Sequence, residues 1–235
     1  MLAISVPAIR ERLRSGESLL TDAMAMNIRL FAAKSVIIEE GNQPTHVFRV
    51  ISGRAARRRM LADGRSQLMS ILLPGDIFGV RSLFAGLPTD TIEAITDVAV
   101  QSTAHSEVQR LANIEANVAF WLISYASREH QKIENWLTVL ANGTAKEKIA
   151  FSLIDLWLRF RGADSDLVRL PLSQRELAEH IGLTLPHVCR TIAALRDAGA
   201  IKIHYGSIEI LEPKLLLESA KGDAGNMTQY FVGQI

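Results

Sequence analysis

One cysteine, Cys189, is all the thiol chemistry that 235 residues contain. An intramolecular disulfide is therefore excluded, as is a cysteine-ligated iron–sulfur cluster or a cysteine-rich zinc site within one chain. Such sparing use of cysteine fits a reducing compartment, and a cytoplasmic location is expected. No uninterrupted apolar run reaches the roughly 18 residues of a membrane span, so no membrane partner is expected. The opening MLAISVPAIRERLRSGESLL has no basic end leading into a long apolar stretch, and a secretory signal is not expected. Charge of one sign is also missing. Lys and Arg number 26 against 25 Asp and Glu, a formal net charge of +1. Residues 143–212 carry nine of each kind, so any nucleic-acid surface there must be a local patch, not a global field.

What is present falls into segments of different period. Between residues 28 and 104 the runs SVII (35–38), HVFRVI (46–51) and QLMSILL (67–73) are β-branched or aliphatic. Glycine turns bound them at Gly41, Gly53, Gly64 and Gly75. Short strands at roughly ten-residue spacing predict a sandwich, roll or barrel, and Asp63-Gly64 predicts a hairpin. The run Arg57-Arg58-Arg59 is read as a solvated strand face in preference to an anion site. From about 107 to 141 the period becomes helical. Leu122, Ala126, Glu129, Ile133, Trp136 and Leu140 alternate spacings of four and three, the pattern of a coiled-coil seam, and a homodimer is expected. The alternative is a helix packed on its own domain. Asn142-Gly143 should end it. A second amphipathic helix is expected over 144–161, then a loop RGADSD, and later a short helix in EPKLLLESA before a loose tail.

The most specific stretch is LSQRELAEHIGLTLPHVCRTIAALRDAGAIKIHYGSIEI. Ser173 and Glu176 form a capping-box pattern, Gly182 supplies a left-handed turn, and Thr184 is expected to cap a second helix with Pro186 in its first turn. Helix, glycine turn and helix make a helix-turn-helix. On the second helix Val188, Ile192 and Leu195 share one face. Ser173, Thr184, Leu185, Pro186, His187, Arg190 and Lys202 are the expected DNA-binding residues, and Arg190 can fork onto guanine O6 and N7. The hairpin IKIHYGSIEI is expected to be a wing whose Lys202 and His204 meet phosphates. Double-stranded DNA is the expected partner; the alternative is a helical module that binds protein. Cys189 lies near the start of the reader beside an arginine, a setting that favours thiolate chemistry, so it is a redox candidate. Its plain alternative is a small residue packed at the helix flank.

A glycine-punctuated roll, a long helix and a winged helix-turn-helix in this order resemble the superfamily of the cyclic-AMP receptor protein and the fumarate–nitrate regulator. The resemblance covers about residues 28–212, with GDIFG (75–79) and GLTLPHVCRTIAAL (182–195) as its best markers. It implies an α+β fold: an N-terminal β-roll over 1–116, a dimerisation helix over 117–142, a winged helix-turn-helix over 143–212, and a C-terminal helix and tail over 213–235. It also implies a transcription regulator that is not an enzyme, acts as a homodimer on a palindromic site, and meets RNA polymerase.

In members that bind cyclic AMP, a glutamate after the second glycine holds the ribose and an Arg-Ser pair holds the phosphate. Here Gly79 is followed by Val80, and the later positions are Asp90-Thr91. Gly79, Val80, Asp90 and Thr91 are thus read as a degenerate effector pocket in which Asp90 would repel a phosphate, and cyclic AMP is not expected to be the signal. The glutamate frequent near the start of the family's recognition helix falls at Pro186. No cofactor is expected, haem through His46, His105 or His130 being the remaining possibility. A cupin-like metal enzyme is the rival class, but it needs clustered ligands on adjacent strands, and only His46 lies on an expected strand.

Overall fold

The computed structural model describes residues 6–84, 86–163 and 169–220. It divides into two compact units, residues 1–60 with 70–133, and residues 61–69 with 134–235. This division differs from the expected boundaries, because a stretch within the roll's hairpin (61–69) and the C-terminal part of the long helix cluster with the reader.

In the first unit, α1 (Val6–Ala25) precedes the strands β1 (Ile28–Phe31), β2 (Val36–Ile38), β3 (His46–Ser52) and β4 (Ala55–Met60). After β4 come β5 (Ser66–Leu72), β6 (Ile77–Phe78), a 3-10 turn (Val80–Leu83), β7 (Thr91–Ala94) and β8 (Val98–Ala104). They form two four-stranded sheets in the orders β1-β8-β3-β6 and β2-β7-β4-β5. Alternation along β3 explains how one strand serves two cores. Phe48 and Val50 face the second sheet, packing with Leu72, Ile92 and Val100. The Phe48 and Phe78 rings stack there with centroids 5.1 Å apart.

Val47 points the other way, into a cluster with Leu20, Met24, Val108, Leu111, Val118, Trp121 and Leu122. Those residues come from α1, α2 (His105–Ile114) and the start of α3 (Ala116–Asn142). The helical stretch expected from about 107 is therefore two helices. The first helix, α1, was not anticipated. At Gly16 it approaches α3 so closely that an added Cβ would lie 2.2 Å from the Asn117 carbonyl oxygen. Arg12 Nε donates to Asn117 Oδ1 at 3.1 Å beside that contact.

In the second unit, α4 (Ala145–Ala163) supplies the central apolar helix, with Ile149, Phe151, Leu153, Ile154 and Leu156 all buried. Thr144 and Glu147 cap its start: the Glu147 carboxylate accepts from Thr144 N at 2.6 Å and Glu147 N donates to Thr144 Oγ1 at 3.3 Å. After it come β9 (Arg169–Leu170), α5 (Gln174–Ile181), α6 (Leu185–Asp197), β10 (Ile201–His204), β11 (Ser207–Ile210) and α7 (Pro213–Ser219). The three strands form a sheet in the order β10-β11-β9. The first three residues of the expected RGADSD loop belong to α4, while the last three and the tail from Lys221 lie outside the described residues.

Candidate nucleic-acid interface and ligand loop

Local chemistry sets the reader's geometry. Ser173 and Glu176 form both halves of the capping box at the start of α5. Ser173 therefore spends its hydroxyl within the chain: Glu176 N donates to it at 3.1 Å, and it donates to the Glu176 carboxylate at 2.7 Å. Gly182 ends α5 with φ 68°. Thr184 occupies the cap position of α6, but its side chain makes no cap hydrogen bond; this corrects the expected role. Its backbone carbonyl accepts from the amides of His187 and Val188 instead.

Val188, Ile192 and Leu195 are buried, so α6 sits on the rest of the unit with one face. Leu185, Pro186, His187, Cys189 and Arg190 are exposed together at its N-terminal end. Cys189 is thus on the outside and not at the flank between buried and exposed sides. In the wing, Lys202 is exposed, whereas His204 is engaged by Glu209 at 2.5 Å. That hydrogen bond holds the Glu209 carboxyl below its ordinary value. Tyr205, at the wing's tip, is fully exposed.

The stretch 61–69 packs on α5 within the second unit. Gln67 Nε2 donates to the Glu179 carbonyl at 2.8 Å, and the His180 Nδ1 lies 3.3 Å from the Leu68 carbonyl. Burial pushes His180 below the usual imidazole range.

Along α3 the expected seam needs correction. Leu122 is buried in its own unit, and Trp136 packs edge-on against Phe151 with centroids 4.8 Å apart. Glu129 is paired with Lys132 at 2.7 Å. The exposed apolar residues are Ile123, Ile133, Leu137 and Leu140. With Ala126 and His130, also exposed, they keep spacings of three and four. The stripe is shifted from the expected one while retaining Ala126, Ile133 and Leu140.

The ligand loop keeps the roll's glycine geometry. Gly79 has φ 86°, and a Cβ there would meet the His46 carbonyl oxygen at 2.7 Å, so two separate constraints demand glycine. Val80 is buried in the helix-side cluster and offers no polar group to a ribose. Thr91 Oγ1 accepts from Glu40 N at 3.3 Å. Asp90 is not an isolated negative charge. Arg59 Nε donates to it at 2.8 Å, and Arg81 Nη1 lies 3.9 Å away. Both arginines also donate to the Thr89 hydroxyl, at 3.0 and 3.3 Å. Arg59 thus belongs to an ion-pair cluster, which corrects the solvated-face reading at that residue. Val80 therefore stands where the resemblance calls for a ribose-holding glutamate, and both arginines lie against a carboxylate.

The His46 ring is engaged at both nitrogens, by Arg29 at 2.9 Å and Thr45 at 2.8 Å. Desolvation holds both His46 and His105 below the usual range. Among the described residues, no group of three His, Cys, Asp or Glu side chains could hold a metal ion, and no helix is long and apolar enough to cross a membrane.

Comparison with known proteins bears on both units. Residues 28–115 match the cyclic nucleotide-binding domain, and residues 147–219 match the Crp-like helix-turn-helix domain. The nitrogen fixation regulation protein FixK of Bradyrhizobium diazoefficiens is 30% identical over 186 residues, 78% of this chain and 77% of that protein. This chain belongs to the CRP/FNR family. It is a transcription regulator with a helix-turn-helix DNA-binding domain. The transcriptional activator protein FnrL of Cereibacter sphaeroides is 28% identical over 88% of this chain and 86% of its own length. Among solved structures, FixK2 from Bradyrhizobium japonicum superposes with a TM-score of 0.75 at 26% identity, covering 83% of this chain and 98% of that one.

Proposed function

We propose that this regulator acts as a cytoplasmic homodimer that reads an inverted repeat and needs no cyclic AMP. The observation that carries the reading is the α6 surface. Arg190 and His187 are exposed beside small or apolar neighbours while Val188, Ile192 and Leu195 anchor the opposite face. That arrangement lets a helix sink into a major groove and present a fork-shaped donor to guanine.

The shifted stripe Ile123, Ala126, His130, Ile133, Leu137 and Leu140 supports pairing with a second copy, since its spacing is that of a coiled-coil seam. One reader per chain and a two-fold axis call for half-sites about one helical turn apart. Activation through RNA polymerase follows from kinship with proteins such as FnrL, named a transcriptional activator. This reading calls on no haem or other cofactor. Selection from a random duplex pool, paired with light scattering, tests it. A palindromic consensus bound by a dimer is expected; a monomer with no palindromic preference would refute it.

A further inference from the structure

The loop before β7 holds an ion-pair cluster that the regulator's DNA chemistry does not use. Arg59 leaves β4, Arg81 leaves the 3-10 turn after Gly79, and both reach Thr89 and Asp90. Strands β4 and β7 are paired, with Arg58 opposite Thr91, which sets Arg59 beside Asp90. The Asp90 side chain is only 12% exposed, against 40% for Arg59 and 60% for Arg81. The carboxylate is therefore the inner member, with two guanidinium groups closing over it. Two guanidinium groups held beside one anion, both also donating to the neighbouring Thr89 hydroxyl, form a donor set that can receive phosphate oxygens. A carboxylate so shielded needs its partners, and two cations so close need an anion.

We infer that Asp90 is a built-in ligand: its carboxylate fills an anion site formed by Arg59 and Arg81, both steadied by Thr89, which would otherwise take a phosphate group. Being part of the chain, it competes at an effective concentration that a free anion does not match. Three separate stretches of the roll are thereby tied together without a small molecule. The inference deepens the reading of a regulator independent of cyclic AMP and takes its meaning from that reading. Its geometry rests only on the four residues named.

Melting temperature at constant ionic strength, with chloride replaced by inorganic phosphate or by cyclic AMP, tests it. The wild type should respond to neither. Asp90→Asn should melt lower and be stabilised by phosphate, binding it about tenfold or more tighter than the wild type. Asp90→Asn combined with Arg59→Gln should lose that response. If Asp90→Asn is not recovered folded, Asp90→Ser serves in its place, and the wild-type arm stands without either variant. A folded Asp90 variant indifferent to phosphate overturns the inference. So does a wild type that already responds to phosphate as strongly as the variant. A wild-type response to cyclic AMP overturns it together with the nucleotide-independent reading. Operator binding by the wild type, measured separately, reports on the regulator reading alone.

Discussion

The Trp136 and His180 rings meet edge to face, their centroids 4.8 Å apart and their planes at 70°. One side of the Trp136 ring thus faces His180 of α5, while Phe151 of α4 contacts it edge-on. An aromatic that could have belonged to an intermolecular seam is instead part of the reader's own core. His180 is held there neutral. Burial disfavours its charged form, while the Leu68 carbonyl and Asp155 oppose that effect without overcoming it.

The sign of the resulting pH dependence follows from the direction of the shift. A histidine whose folded value lies below its unfolded value of about 6.5 takes up its proton more readily when unfolded. Stability is fully present above that value and falls as pH drops below it. His46 and His105 are lowered for the same leading reason, desolvation, and add to the slope. The urea midpoint should therefore fall from pH 7 to pH 5. His180→Gln should be less stable at pH 7 yet show a flatter decline. A slope unchanged by the substitution would remove His180 from the account.

Arg190 is exposed near the start of α6, and a planar guanidinium can fork onto guanine O6 and N7. Arg190→Ala should weaken operator binding by about 1–3 kcal/mol and relax preference at one G·C pair. Nonspecific affinity should change little. Equal loss on every sequence, in binding curves across single-base operator variants, would make Arg190 a phosphate contact.

The stripe on α3 yields a test that separates its two possible sides. Leu137 is 66% exposed, whereas Leu122 is 6% exposed. Leu137→Glu should therefore weaken the dimer by about 2 kcal/mol or more and leave the fold intact. Leu122→Glu should damage the fold itself. Sedimentation and circular dichroism on the two variants would distinguish these outcomes. A Leu137→Glu dimer as tight as wild type would point to a different interface.

Gly16 sets two effects against each other. In a helix interior, alanine ordinarily gains about 1 kcal/mol over glycine. Here the added methyl would lie 2.2 Å from the Asn117 carbonyl oxygen and 2.8 Å from Trp121 Cβ, contacts that only backbone movement can relieve. Crowding should win, costing Gly16→Ala about 1–3 kcal/mol net. A rise in melting temperature would show that α1 can withdraw from α3 at no cost.

Local signals in the sequence were enough for the glycine turns, the capping box at Ser173 and the buried face of α6, because each rests on residues within a few positions of one another. Helix α1 was also legible: Ile9, Leu13, Gly16, Leu20 and Met24 keep a helical period that went unused. The α3 stripe shows where pattern runs out. Two sets of residues, one through Leu122 and Trp136 and the other through Ile123 and Leu137, fit the same spacing, and only packing tells them apart. The Arg59–Asp90 pair lay further out of reach. Its partners stand 31 positions apart and meet only because β4 pairs with β7. Read without that pairing, Asp90 looked like bare repulsion.

The lone thiol gives the last test. Cys189 is exposed on the same end of α6 as His187 and Arg190. Its exposure leaves the thiol open to an oxidant in the absence of DNA. Peroxide would convert the thiol to a sulfenic acid with release of water, placing bulk at the reader's face, and further oxidation would add negative charge there. Either change would oppose close approach to DNA, so mild peroxide should abolish operator binding, and a thiol reductant should restore it while oxidation has stopped at the sulfenic acid. Cys189→Ala should bind DNA and ignore peroxide, because no other thiol exists in the chain. Methionine oxidation is the competing source of peroxide sensitivity, with six methionines present. It would strike wild type and Cys189→Ala alike. Equal loss of binding in both, followed by gel shift across a peroxide series, would sink the redox role and leave Cys189 a small residue chosen to let the helix approach DNA.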